Sequence, residues 1–199
     1  MTSTNSVAHP VKPCDSDSTG ICWDLSLSAS SAGTLKLSGD LKPGWLGKLS
    51  SHLSHREINI ISGTARKSGP LCWDASFEID GKLTHSDPFK DFNPLPTLMG
   101  PAERITLPLI KISDFQIEDS TRHGGSIYTE ISGMDCIGFL YGIVRMFSFY
   151  SLFPTELEIS TKGMMAFDRF WLKGIGASVP GKDDKKALYE KLKMLSGML

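Results

Sequence analysis

The stretch SGDLKPGWLGKL, Ser38 to Leu49, returns in altered form as SGMDCIGFLYGI, Ser132 to Ile143. Both run from a Ser-Gly pair through a second glycine into an apolar segment. A glycine turn that feeds a helix is a frequent anion cradle, because the first N–H groups of a helix have no intrahelical partner. The residue after the second glycine decides whether these turns hold phosphate. Gly39-x-x-x-x-Gly44 and Gly133-x-x-x-x-Gly138 match the front of a P-loop, but Trp45 and Phe139 stand where that motif requires lysine. With no lysine to reach the β- and γ-phosphates, nucleotide hydrolysis is not expected. No G-x-G-x-x-G occurs either, which removes the dinucleotide fingerprint.

Sliding the sequence against itself by 94 positions aligns the two turns without a gap. Ser38 and Gly39 fall on Ser132 and Gly133, Gly44 on Gly138, Leu46 on Leu140, and Ser54 on Ser148. Farther on, Gly69 meets Gly163 and Asp74 meets Asp168. These identities sit at turns and element starts, where backbone geometry restricts the choice of residue. The chain therefore reads as a tandem repeat. A second echo, CWD at Cys22–Asp24 and Cys72–Asp74, aligns nothing around it and is coincidence.

Each copy predicts the same elements. TLKLSG and SIYTEISG alternate like half-buried strands. After the turn, Trp45, Leu46, Leu49 and Leu53 recur at helical spacing, with Pro43 suited to the first helical position. The second copy places Phe139, Leu140, Ile143, Val144 and Phe147 in the corresponding helix. EINIISGTARK and ELEISTKG each read as a strand running to a glycine turn. In LCWDASFEID, Leu71, Trp73, Ala75, Phe77 and Ile79 share one face and polar residues fill the other, as in a sheet packed on one side. MMAFDRFWLKG alternates less strictly and is expected to be more buried. KDDKKALYEKLKML predicts an amphipathic helix on Ala187, Leu188, Leu192 and Leu195, whereas its counterpart DPFKDFNPLPTLMG is broken by prolines. ICWDLSLS and LIKISDFQIED supply a leading strand for each copy, giving β-β-α-β-β-α twice.

The bulk composition narrows the function classes. A length of 199 residues suits one large or two small domains, and a net charge of −1 gives no electrostatic reason to expect nucleic acid or an anionic membrane. No apolar run approaches the ~20 residues of a membrane helix. Residues 1–19 are Ser/Thr/Pro-rich, lack the apolar middle of a secretion signal, and read as a disordered tail. The cysteines Cys14, Cys22, Cys72 and Cys136 form no C-x-x-C pair, which suits reduced thiols in a cytoplasmic protein.

At the turn and the strands after it, ISGMDCIGFLYGIVRMFSFYSLFPTELEISTKGMMAFDRFWLKG resembles an ACT domain, particularly the tandem repeats of the glutamine-sensing bacterial uridylyltransferase. PGWLGKLSSHLSHREINIISGTARK with WDASFEID is similar to the same domain in amino-acid-regulated enzymes. The resemblance implies an α+β fold of two ferredoxin-like units, residues 20–104 and 105–199, each an antiparallel sheet with helices on one face. It also implies side-by-side pairing, with an amino acid bound where the glycine turn of one unit meets its neighbour. No nucleotidyltransferase or dehydrogenase segment accompanies the copies, so a stand-alone module is expected.

The family's site carries over unevenly. Amino-acid-binding members place Asn or Asp three residues before the turn glycine, and Asn at the start of the following strand. Asp135, before Gly138, fills the first place in the second copy, and Asn59 fills the second place in the first copy. Leu41 and Phe153 occupy the remaining two places, and Asp40 is a substitute acid one residue away beside the Gly44 turn. Because partners come from opposite copies, Asp135 and Asn59 are expected to build one complete site, with the ligand ammonium near Asp135 and its carboxylate at the turn amides. Leu41 and Phe153 would leave the other site without polar groups.

His52 and His55 lack further metal-ligand partners in sequence and read as a helix end. Asp74 and Asp168, one per copy, do not form the carboxylate pair of acid–base chemistry and suit a hydrogen bond to an adjacent strand or turn. No serine has a G-x-S-x-G context. No catalytic residue, metal or cofactor is therefore expected. The expected function is a non-enzymatic amino-acid sensor acting on a protein partner, with outer edges that suit a homodimer. The alternatives are a ligand-free pairing scaffold and, third, a small enzyme on a ferredoxin-like sheet.

Overall fold

The computed structural model describes residues 20–28, 31–81, 87–101 and 109–197. The expected tail and the boundary between residues 104 and 105 lie outside the described residues. The first half contains β1 (Ile21–Leu27), β2 (Ala32–Asp40), α1 (Trp45–His55), β3 (Asn59–Lys67), β4 (Cys72–Asp80) and α2 (Leu95–Met99). The second contains β5 (Ile112–Glu118), β6 (Ile127–Met134), α3 (Phe139–Phe149), β7 (Phe153–Lys162), β8 (Met165–Lys173) and α4 (Lys182–Leu195). The chain is thus a mixed α+β structure, with the element order expected from the sequence.

All eight strands join one sheet in the order β1-β2-β4-β3-β7-β8-β6-β5, and every neighbouring pair is antiparallel. The central pair is β3 with β7, the corresponding strands of the two halves. Thr64 lies opposite Glu158, its own equivalent at the repeat spacing, so a local two-fold axis passes between them.

Period-two alternation puts one face of this sheet under the helices. Trp73, Ala75, Phe77 and Ile79 of β4 are buried, as are Ala166, Phe170 and Leu172 of β8. α1 contributes Trp45, Leu46, Leu49 and Leu53, and α3 contributes Phe139, Leu140, Ile143 and Phe147, to a single apolar cluster that is continuous through the seam. Burying an aliphatic side chain of this kind is worth roughly 1.5–3 kcal/mol. Phe147 meets Phe170 edge-on at 5.0 Å, tying α3 to β8. The opposite face is open and polar, with Arg169 pairing to Glu130 at 3.1 Å and to Glu158 at 3.2 Å.

α1 begins at Trp45 with Gly44 as its cap, so Pro43 stands in the turn rather than at the first helical position. Gly44 and Gly138 both cap their helices at φ 86°, a conformation that glycine adopts without the Cβ clash of other residues. α2 is five residues long, as its prolines predict, while α4 runs fourteen residues and fully buries Leu188 and Leu192. Cys72 and Cys136 are free thiols, but the expectation of reduced cysteines is corrected at Cys22, which is disulfide-bonded. Among the described residues no helix is long and apolar enough to cross a membrane.

One sequence alignment is corrected. Leu37 of β2 faces Ala75, whereas its equivalent Ile131 of β6 faces Asp168. Asp168 therefore corresponds to Ala75, not to Asp74. Between equivalent positions, the β3–β4 hairpin holds one residue more than the β7–β8 hairpin with its tight Gly163–Met164 turn. A one-residue shift moves a side chain to the other face. Asp74 is exposed on the open face, while Asp168 points into the core at 1% exposure.

Candidate functional site at the seam

Two crevices flank the contact between α1 and α3, one at each glycine turn. The first lies at the turn between β6 and α3. Asp135 is held there by its own amide, which donates to the Met164 carbonyl at 2.8 Å. Its Oδ2 accepts from Asn59 Nδ2 at 2.9 Å and from Thr161 Oγ1 at 3.2 Å. Asn59 opens β3 in the other half, so the two residues expected to combine across the seam are hydrogen-bonded to each other.

Beneath them sits Asp168. Sequence reasoning gave it a bonding role to a neighbouring strand and did not connect it with Asp135. The signal was available in the strand's phase: Ala166, Phe170 and Leu172 all face inward, and Asp168 occupies the same series. Burial, and then the neighbouring Asp135 carboxylate, push Asp168 up to about 8, against an opposing hydrogen bond from the Ser160 amide. Asp168 is therefore largely protonated at neutral pH. Its Oδ1 is buried without a hydrogen-bond partner. Burial also pushes the adjacent Cys136 thiol up, with a smaller contribution from Asp135.

These groups line a cavity of about 20 Å³ with Asn59, Asp135, Gly138, Tyr141, Thr161 and Asp168 on its walls. That is room for about one water. Two carboxylates, an amide and the hydroxyls of Ser50, Tyr141 and Thr161, with no basic residue among the lining, form a site for a hydrogen-bond donor or a cation.

The second crevice is the counterpart of the first about the local axis. It holds about 240 Å³ and is lined by Pro43, Gly44, Gly47, Lys48, Ser51, Thr97, Tyr141, Val144, Arg145, Ser148, Phe153 and Pro154. Phe153 stands where the acidic crevice has Asn59, as expected. The expectation that this site lacks polar groups is corrected by Lys48 and Arg145, whose equivalents at the repeat spacing are Gly142 and Ser51. Asp40 is not part of either lining: it ends β2, exposed, with its backbone amide on the Gly20 carbonyl at 2.9 Å. Leu41, at the position equivalent to Asp135, is buried in the core.

The two turns differ in the residue three places into the helix, Tyr141 in α3 and Gly47 in α1. Tyr141 lines both crevices, and its hydroxyl accepts from Arg145 Nη1 at 3.2 Å. A Cβ added at Gly47 would meet only Val144, at 3.8 Å, so that turn stays open. His52 packs against Phe92 at 5.5 Å and shares a 3.0 Å hydrogen bond with Thr97 Oγ1. Among the described residues no group of three metal-ligating side chains gathers.

No family model matches the chain, and no curated protein matches it. Among solved structures it is similar to aspartate kinase from Synechocystis, with a TM-score of 0.44 and 14% identity over 83% of this chain. The match spans 27% of the kinase chain.

Proposed function

We propose that the chain is a non-enzymatic regulatory module of two ACT-like, ferredoxin-like units that binds an amino acid at their seam. One observation carries the reading: the 2.9 Å bond between Asn59 and Asp135, which joins polar groups from opposite halves at a glycine turn. The ligand ammonium takes the place of Asn59 Nδ2 as donor to Asp135, and Asp168 supplies a second acceptor once its proton leaves. The ligand carboxylate takes the amides of Leu140 and Tyr141 at the start of α3, since the Phe139 amide already donates to the Cys136 carbonyl at 2.9 Å. Access requires the Tyr141 ring to swing away, and that movement is the signal passed to a regulated partner or to a second copy of the chain.

A thermal-shift screen of the twenty amino acids tests the reading. A ligand at ~100 times its dissociation constant stabilises by ~2.7 kcal/mol. The shift is expected for a small set of amino acids and is lost in Asp135→Asn. A second reading, a pairing scaffold that binds no ligand, is favoured by the cavity's 20 Å³ and by the bonds Asp135 already makes. Absence of a shift with every amino acid selects it.

A further inference from the structure

We propose that the crevice between Gly44 and Phe153 is a separate site for a small carboxylate with an apolar body. Lys48 and Arg145 both line it, and no carboxylate does. Among the described residues neither side chain forms an ion pair. Lys48 Nζ donates to the Leu98 carbonyl at 3.2 Å and the Gly100 carbonyl at 2.6 Å, which leaves one of its three protons for a ligand. Arg145 donates from Nη1 to the Tyr141 hydroxyl at 3.2 Å and rests over the Phe149 ring at 5.7 Å. Its Nε is buried and has no partner. A guanidinium edge in this condition is a fork without its acceptor, and a carboxylate is the anion that matches a fork.

The rest of the wall selects the body of the ligand. Pro43, Val144, Phe153 and Pro154 offer apolar surface opposite the two cations. Such a wall disfavours inorganic phosphate or a sugar phosphate, whose oxygens would lose water without gaining donors. The volume of 240 Å³ equals the share of about eight liquid waters, the size of a benzoate or a short branched-chain acid. The site uses none of Asn59, Asp135 or Asp168, although it shares the Tyr141 side chain with the acidic crevice.

The test uses the full chain, with benzoate and 3-methylbutanoate as probes and benzamide, benzylamine and inorganic phosphate as controls, read by calorimetry. Saturable binding of the two carboxylates, at least tenfold tighter than that of any control, is expected. Arg145→Gln and Lys48→Met each weaken benzoate at least tenfold, while Asp135→Asn leaves it unchanged. No binding of either carboxylate, equal binding of benzamide, preference for phosphate, or undiminished binding in both variants would overturn the proposal. Should the variants fail to fold, amide chemical shifts of the unmodified chain decide. Benzoate is expected to move Gly44, Gly47, Val144 and Phe153, and shifts centred elsewhere, or none, refute the site. Loss of amino-acid binding in Asp135→Asn with benzoate binding intact separates this site from the acidic one.

Discussion

The acidic crevice holds two carboxylates around about 20 Å³, and its counterpart across the local axis holds two cations around about 240 Å³. The backbone treats both alike: each has a glycine cap at φ 86° entering an eleven-residue helix beside β3 or β7. Their chemistry differs because a handful of side chains at equivalent positions have been exchanged. Gly47 leaves the basic crevice open on the α1 side, Asn59 against Phe153 and Asp135 against Leu41 set the polarity, and Lys48 and Arg145 set the sign of the charge. A duplicated fold therefore fixes where crevices form without fixing what they bind.

The largest expected effect concerns the acidic crevice alone. Asp168 ordinarily titrates at 3.8 and is pushed up to about 8 in the folded chain. The folded state keeps a proton that the unfolded chain releases above that ordinary value. Stability is thus unaffected below about pH 4, falls as pH rises from 4 to 8, and levels off above 8, with a slope of up to ~1.4 kcal/mol per pH unit. Asp135, Cys136 and Tyr141 are the other titratable groups on the same cavity, and none carries positive charge to offset it. Asp168→Asn removes the titration and adds a donor beside Asp135. Urea unfolding is expected to show a gain of up to about 5 kcal/mol at pH 8 and little change at pH 4. An equal gain at both values would mean that Asp168 does not titrate across this range.

That residue also marks the limit of what could be read in advance. Strand alternation, the two glycine turns and the amphipathic Lys182–Leu195 segment each follow a short-range rule, and the elements formed where those rules put them. Asn59 and Asp135 came from the ACT resemblance, one from each copy, and not from any short-range rule of the sequence. Asp168 was misplaced because the repeat spacing changes by one residue at the Gly163–Met164 turn, and identity with Asp74 hid the change. The basic crevice was missed for a different reason. Lys48 and Arg145 occupy helix positions that ordinarily face solvent, and only the packing of α1 on α3 turns them into a common wall.

A smaller effect probes the seam itself. Asn59→Ala removes one of two donors to Asp135 Oδ2 and leaves Thr161 in place. A half-buried bond to a charged acceptor is worth about 1.5–3 kcal/mol, with the lower end expected because the second donor remains. Thermal unfolding should register the loss. The benzoate affinity of the basic crevice should not change, since Asn59 does not line it. Coupled losses at both crevices would mean that the seam moves as one unit rather than as two independent walls.

The smallest change sharpens the comparison most directly, because it moves one crevice toward the other. Gly47 lies inside α1, where replacing glycine by alanine gains about 0.8–1 kcal/mol of helix propensity. The added Cβ would meet only Val144 Cγ1, at an ordinary contact distance of 3.8 Å, so no clash offsets that gain. Gly47→Ala should therefore raise the unfolding free energy by up to about 1 kcal/mol while narrowing the basic crevice from the α1 side. A bulkier Gly47→Leu should fill the crevice from the α1 side, abolishing benzoate binding while leaving Asp135 and Asn59 bonded. If benzoate still bound to a folded Gly47→Leu chain with unchanged affinity, the open volume would not be what separates the two crevices.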